Sequence, residues 1–495
     1  MIKFLLMRQV TCNFNLIKRN NMAKKKEKIS EKDLGHAAHS KEAKKAVARK
    51  TSRHLKIVFL GAGSGFFGSL FRDIMMVEGF NDGEMCIVDL DKKRVNIAER
   101  LGYEMMKRVG NKGWTLKKTT NRRTVLKDAD YVINCIEVNG GPCVRPDNDI
   151  PLKYGVDQCI GDTIGPGGIM KALRTVPTWL EVLSDVSELC PNAVVFNYTN
   201  PMSIMCLAAT RMFPQIKHFG MCHSVQGTSE LLSKYADVPL DEISWECAGV
   251  NHLAWFTKFE HNGKSLYPKI NKRLKSGEVD ITCDHVRFDM MQQFGAFITE
   301  SSGHLSEYLP FYRKRKDIRE KYCHNGYNGQ SSFYADNWPQ WRENGDKWRT
   351  EFGNGEHKDW EVKRSWEYCS YAIEALEMNR PFVMHSTVPN TGLISNLPQN
   401  GVVEVACHCD KNGIVPTYFG DLPAQMAAIC DWNMRCYELA AQACLEFDLE
   451  KATYAMMLDP NTNSSCSPEE IRKMAKELYA AEKEWLDPRF FAKKK

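Results

Sequence analysis

The sequence has no run of apolar residues approaching the roughly 18 that a membrane-spanning helix needs, which excludes an integral helical membrane protein. IKFLLM, Ile2 to Met7, is too short for the apolar core of a secretory signal, and no convincing cleavage site follows it. A regular cysteine framework is also missing. The 18 cysteines are scattered, which in a chain of 495 residues fits reduced thiols in the cytoplasm better than disulfides. Nor is there a basic body. The formal charge of +6 is the sum of +12 in the first 56 residues, with 16 Lys and Arg against 4 Asp and Glu, and −6 in the remainder, which argues against nucleic-acid binding. A hydrophobic content of 43% and a charged content of 26% are those of a soluble globular chain, long enough for two or three domains.

Large apolar side chains are scarce in MAKKKEKISEKDLGHAAHSKEAKKAVARKTSRH, which runs from Met22 to His54. Such a segment buries too little surface to offset its ordering entropy, so residues 1–54 are expected to be a disordered basic tail. A weak helix fits Lys41 to Lys50, and Met22 is an alternative start. A solvated tail is favoured over a nucleic-acid-binding arm.

What is present begins at LKIVFLGAGSGFFGSLFRDIM, Leu55 to Met75, which reads as a buried strand, a glycine turn and a helix. Gly61, Gly63 and Ser64 in that turn allow close backbone approach to a pyrophosphate, which a helix N-terminus then stabilises. EMCIVDLD supplies a second strand ending at Asp89 and Asp91, and Asp89 stands where an acid accepts hydrogen bonds from an adenosine ribose. The spacing exceeds the usual ~20 residues, which calls for an extended first helix or loop. Further buried strands fit Asp128 to Gly140 and Asn192 to Pro201. This βαβ series predicts NAD binding, against the alternative of an α/β domain that binds no nucleotide.

In such a sheet, ligands lie at the carboxyl ends of the parallel strands. Those ends carry Glu137 and Asn139, then Asn197 and Asn200, then Cys222 and His223. FGMCHSVQGTSELL, Phe219 to Leu232, sets Cys222 and His223 at a strand end, and AGVNHLAWF, Ala248 to Phe256, sets His252 after an apolar run. A thiolate and an imidazole suit a first-row divalent metal, with coordination positions left for substrate oxygens; the alternative is a buried cysteine and a hydrogen-bonded histidine. Between Pro146 and Pro177 lie Asp147, Asp149, Asp157 and Asp162, expected mainly as turn or capping residues, with one available as an acid in the cleft. Cys407, His408 and Cys409 mimic a metal cluster but alternate like a strand running into a turn.

GAGS at Gly61, DTIGPGGIMKALRTVP at Asp162, NYTNPM at Asn197, GMCHSVQGT at Gly220, AGVNHLAWF at Ala248, TESSGHLSEYLPFY at Thr299, ISNLPQNGVVEVAC at Ile394 and MMLDP at Met456 occur in this order. Together they resemble the NAD- and manganese-dependent glycosidases of glycoside hydrolase family four, from about Leu55 to the C-terminal region. The Cys-His-Ser-Val run is most similar to the α-galactosidases of that family that cleave melibiose-type sugars. The α-galacturonidases share the DTIGPGG and NYTNPM blocks.

The resemblance implies an α/β fold of lactate/malate dehydrogenase-like architecture, with a Rossmann-type NAD-binding domain over 55–220 and an α+β C-terminal catalytic and oligomerisation domain over 221–495. It implies a homodimer or homotetramer acting on a sugar, while the cysteines, charge and hydropathy above predict a cytoplasmic protein with no nucleic-acid or membrane partner. Cys222 and His252 match the ligands of the divalent metal, usually Mn2+. Asn200 matches a substrate-contacting asparagine, and His223 holds a sugar hydroxyl or orients the site. Tyr308 matches the base at sugar C2 and Asp147 the acid for the leaving oxygen, with Asp149 as its competitor. In the implied chemistry NAD+ takes hydride from C3, the C2 proton is removed, the aglycone is eliminated, water adds and the hydride returns. Such enzymes are an exception to the two-carboxylate rule of glycosidases. α-Galactosides are the expected substrates, with α-galacturonides or α-glucosides as alternatives. A simple 2-hydroxyacid-type dehydrogenase and a silent nucleotide sensor are more distant readings.

The last third reads as helical. Residues 320–368 form a hydrophilic insertion carrying Trp338, Trp341, Trp348, Trp360 and Trp366. Apolar residues recur at helical spacing from Leu422 to Phe447. Pro468 to Trp485 reads as a closing helix capped by Ser467.

Overall fold

A computed structural model describes residues 53–110, 113–282 and 284–492. The expected tail and its weak helix at Lys41 to Lys50 thus lie outside the described residues, apart from Arg53 and His54. No helix among the described residues is long and apolar enough to cross a membrane.

The strands are β1 (Leu55–Leu60), β2 (Gly83–Val88), β3 (Trp114–Thr119), β4 (Tyr131–Asn134), β5 (Val194–Asn197), β6 (Lys217–Met221), β7 (Ile243–Val250), β8 (Leu253–His261), β9 (Lys264–Ser265), β10 (Phe297–Ile298), β11 (Phe382–Pro389), β12 (Val402–Asp410) and β13 (Gly413–Pro416). β1 and β4 are nearly continuous apolar runs, as strands covered on both faces must be. Pairing is parallel in the order β3-β2-β1-β4-β5-β6, the Rossmann order.

Beyond β6 the sheet continues with the second half of the chain. β11 pairs antiparallel with β6 through Ser386↔Met221 and Thr387↔Gly220, and β12, β7, β8 and β10 follow. The expected boundary after residue 220 therefore falls inside β6, within one unbroken sheet. One apolar core likewise joins Ile57, Val132 and Phe196 to Trp255, Tyr308 and Tyr437.

The helices that bear on the site are α1 (Phe66–Met75), α2 (Lys92–Val109), α3 (Gly140–Lys153), α4 (Gly165–Leu189), α5 (Met202–Met212), α6 (Ser224–Ala236), α7 (Phe333–Gly353), α8 (Ala424–Glu446) and α9 (Pro468–Ala481). A loop over 76–82 follows α1, which accounts for the long spacing from Gly61 to Asp89. Asp91 caps α2 by accepting from the amides of Lys93 and Arg94. Ser467 and Glu470 form a capping box at α9, as its sequence suggests. Asp147 and Asp149 lie inside α3 and not in a turn, while Asp157 and Asp162 sit in the loop before α4. Cys407, His408 and Cys409 belong to β12, so the strand reading of that segment holds.

Candidate active site

The turn after β1 is built for close approach. Gly61 has φ +79°, and a Cβ there would stand 2.3 Å from the carbonyl oxygen of Cys135. Gly63 donates its N–H to a carboxylate oxygen of Asp89 at 2.8 Å, and the other oxygen of Asp89 accepts from the Asp91 amide at 2.9 Å. Asp89 sits at the end of β2 as expected. It retains lone pairs for ribose hydroxyls, since a carboxylate offers about four acceptor sites. A cleft of about 1090 Å³ runs past Gly61, Asp89, Leu90, Asn121 and Asn139. Ser64 lines the adjoining cleft, where its hydroxyl is buried without a hydrogen-bond partner. Bare glycines, a ribose-type acid and an unsatisfied hydroxyl around one groove fit a dinucleotide.

Glu137 lines this groove and the clefts beside it, where Asp147, Asp162, Lys171 and Asn200 appear. Lys171 lies 3.1 Å from Glu137 and 3.3 Å from Asp162. Asn200, in the loop just before α5, donates to Asp162 at 3.4 Å, and His304 lies 3.6 Å from the other oxygen. Burial pushes the Asp162 carboxyl up, but Lys171 and His304 outweigh it and hold the group at about 2. Asn197 is not on the rim: buried, it bonds to Asn134 and Thr199 and ties β5 to β4.

Three strand ends converge next to this cleft. Cys222 follows β6, His252 occupies the tight turn between β7 and β8, and Glu300 comes just after β10. Thr299 exchanges hydrogen bonds with Ala254 of β8, which draws Glu300 toward His252. The ligand atoms of Cys222, His252 and Glu300 all lie within 4.8 Å of one another. His252 has φ +66° and Glu300 φ +76°, a left-handed backbone that non-glycine residues seldom adopt and that clusters at functional sites. A thiol, an imidazole and a carboxylate form a donor set suited to a first-row divalent cation. Burial raises the Cys222 thiol to about 11. Burial also raises Glu300, but His252 and His304 outweigh it and hold this carboxyl below its ordinary range.

The hydroxyl of Tyr308 lies 3.1 Å from Nδ1 of His252 and 3.5 Å from Nε2 of His304. The ring is fully buried, and burial foremost, then Tyr437 and Asp162, hold its phenol well above the usual value. His223 is half-exposed at the start of α6, 3.5 Å from Glu367 and edge-on to Trp366. The contact with Glu367 raises it to about 9. It is not among the three donors that lie within 4.8 Å of one another.

Asp147 lies in the wall of the cleft, but both its oxygens accept from Arg174, at 2.6 and 3.2 Å. Glu482, just after α9, accepts from the same Nη1 of Arg174. Arg174 thus engages both oxygens of Asp147. Asp149 is paired with Arg145 at the surface. Arg287 is likewise spent on Asp284, and His285 lies against the ring of His324 in a tilted contact.

Sequence reasoning missed Glu300, His304 and Lys171 as site residues. All three lie within the quoted TESSGH and DTIGPGGIMK blocks, so the signal was the block and not the residue type. It also left Glu307 unremarked. That buried carboxylate accepts the backbone N–H groups of Cys159, Ile160 (2.6 Å) and Gly161 (3.1 Å), fixing the loop that carries Asp162.

A Rossmann-ordered sheet whose carboxyl edge holds a thiol–imidazole–carboxylate set defines a dinucleotide-binding type of α/β enzyme. Comparison then gives the family. The pattern described as family 4 glycosyl hydrolase matches residues 56–238, and that of the family 4 glycosyl hydrolase C-terminal domain matches residues 247–462. The chain is 37% identical over 437 residues to an α-galactosidase of Bacillus subtilis, spanning 87% of this chain and 99% of that protein. It is 30% identical over 466 residues to an α-galacturonidase of Thermoanaerobacterium saccharolyticum, spanning 88% and 97%. A solved 6-phospho-α-glucosidase from gut microorganisms, in complex with NAD and Mn2+, superposes with a TM-score of 0.74 at 21% identity, covering 88% of this chain and 99% of that one. The protein belongs to glycosyl hydrolase family 4 and is a glycosidase, which bears out the resemblance read from its motifs.

Proposed function

We propose that this glycosidase hydrolyses α-galactosides using NAD and a divalent metal, Mn2+ foremost. The observation that carries the reading is the convergence of Cys222, His252 and Glu300 within 4.8 Å, with Tyr308 against His252, beside the dinucleotide groove. When bound, NAD would supply a reversible hydride acceptor and the metal a Lewis acid.

The chain's own residues do the rest. Cys222, His252 and Glu300 hold the metal, and Gly61, Gly63, Ser64 and Asp89 hold the dinucleotide. Asn200, fixed by Asp162, contacts the sugar. Tyr308 takes the proton at sugar C2 as its phenolate, a form that a cation held by Cys222, His252 and Glu300 would favour against the burial of the ring, with His252 and His304 to orient its oxygen. Asp147 holds Arg174 in the cleft wall. The leaving oxygen is assigned to His223, which is half-exposed, adjacent to Cys222 and oriented by Glu367.

The galactoside preference rests on the 37% identical relative and on charge. Lys171 is neutralised by Glu137 and Asp162, and Arg174 by Asp147 and Glu482, so neither cation is spare for a C6 carboxylate. α-Galacturonidase is the second reading, favoured by the 30% identical relative. Every described cysteine is a free thiol, which fits a reducing cytoplasm, and the resemblance supports a homodimer or homotetramer. The test is kcat/KM on α-galactoside, α-galacturonide, α-glucoside and a 6-phosphoglycoside with NAD+ and Mn2+ present. The galactoside should lead by at least about tenfold; a leading galacturonide would move the assignment to the second reading.

A further inference from the structure

The dinucleotide groove is roofed by a helix from the other half of the chain. α7 packs along α2, and at Gly353 a Cβ would stand 3.1 Å from the Leu101 amide nitrogen, so the two backbones nearly touch. This seat brings Arg342 and Arg349 over the turn that follows β1. A cleft of about 1010 Å³ is lined by Ser64, Gly65, Phe66 and Arg94 on one side and by Arg342 and Arg349 on the other. Arg342 also lines the neighbouring cleft that holds Gly61 and Asp89.

The three guanidinium groups are not equivalent. Arg349 donates to the carbonyl of Ser64 at 2.9 Å and to Asp346, while Arg94 donates to the same oxygen of Asp346 at 3.2 Å. One carboxylate serves two arginines. Arg342 makes no hydrogen bond or ion pair among the described residues, and its guanidinium rests over the ring of Trp338, 5.1 Å from the centroid. Burial and the nearby Arg94 hold that guanidinium below its ordinary value, as expected for a cation short of a counter-charge. The Nε–H of Arg94 is also buried without an acceptor. Guanidinium forks over a glycine turn suit a phosphate-type dianion better than a single carboxylate, which Asp346 already supplies.

We infer that Arg342 binds the pyrophosphate of the dinucleotide, reaching it from a helix outside the nucleotide-binding half. The inference rests on the NAD reading above. In wild-type protein and in Arg342→Ala and Arg342→Lys, binding of NAD+, ADP-ribose and adenosine is measured by calorimetry or by competition. NAD+ and ADP-ribose share the pyrophosphate and should both weaken on the order of 10- to 100-fold in Arg342→Ala, while adenosine is unchanged and Arg342→Lys recovers part of the loss. Equal loss for all three ligands would mean a distorted cleft and would overturn the assignment. So would NAD+ binding unchanged within about twofold together with weakened binding of galacturonate, which would make Arg342 a reader of sugar carboxylate. Wild-type protein that binds neither NAD+ nor ADP-ribose would instead remove the NAD reading itself.

Discussion

The hydroxyl of Tyr308 stands 3.1 Å from Nδ1 of His252, a residue whose other ring nitrogen faces Glu300 at 3.5 Å. The candidate base and the candidate metal centre are thus joined through one imidazole. Replacing Tyr308 by Phe removes the hydroxyl and little else, since the ring stays packed. We predict a fall in kcat of about 10²- to 10⁴-fold with an unchanged melting temperature and unchanged NAD+ affinity. Activity within about threefold of wild type would exclude Tyr308 as the base.

Cys222→Ser replaces a soft thiolate by a harder, rarely ionised hydroxyl. Metal-dependent turnover should be lost, with NAD+ binding spared, because Cys222 lines neither of the clefts that hold Gly61 and Asp89. Glu300→Gln should weaken Mn2+ binding by about 10- to 100-fold, read by electron paramagnetic resonance of the free ion. If Glu300→Gln leaves Mn2+ affinity untouched, the third donor is not Glu300.

His223 and Asp147 separate on leaving-group dependence. Nitrophenolate departs without a proton, whereas the sugar released from melibiose requires one. His223→Ala should lose far more activity on melibiose than on the nitrophenyl galactoside. Asp147→Asn should lower both substrates together and lower the melting temperature, since it leaves the buried Arg174 with Glu482 alone. The opposite pattern would return the acid role to Asp147.

Glu307→Gln tests the strut beneath Asp162. An amide accepts hydrogen bonds through one oxygen only, so the loop over 159–161 loses part of its anchor. We predict a KM raised several-fold with kcat changed less, because Asn200 and Asp162 would still be present but displaced. An unchanged KM would show that the loop holds its place without Glu307.

Much of this was legible in the sequence because rare residue types stood at interpretable places. Gly61, Asp89, Cys222 and His252 each follow a recognisable strand, and the parallel order fixes which ends gather. Glu300 was not legible in that way. Glutamate is common, and its position depends on a left-handed residue after a two-residue strand held by Thr299. The surroundings of Asp147 were hidden for a related reason. Its motif position is clear, but its pairing with Arg174, 27 residues away, arises only when α3 packs on α4. The extension of the sheet past β6 was hidden as well, since Met221 finds Ser386 across a separation that no local pattern reports.

The most direct test is release of nitrophenol from p-nitrophenyl α-galactoside by the reduced protein, with NAD+ and Mn2+ supplied together, singly or not at all. The account predicts release only when both are present, with no accumulation of NADH, because the hydride returns in each turnover. Release without NAD+ from protein shown to be free of it, or stoichiometric NADH production, would contradict it.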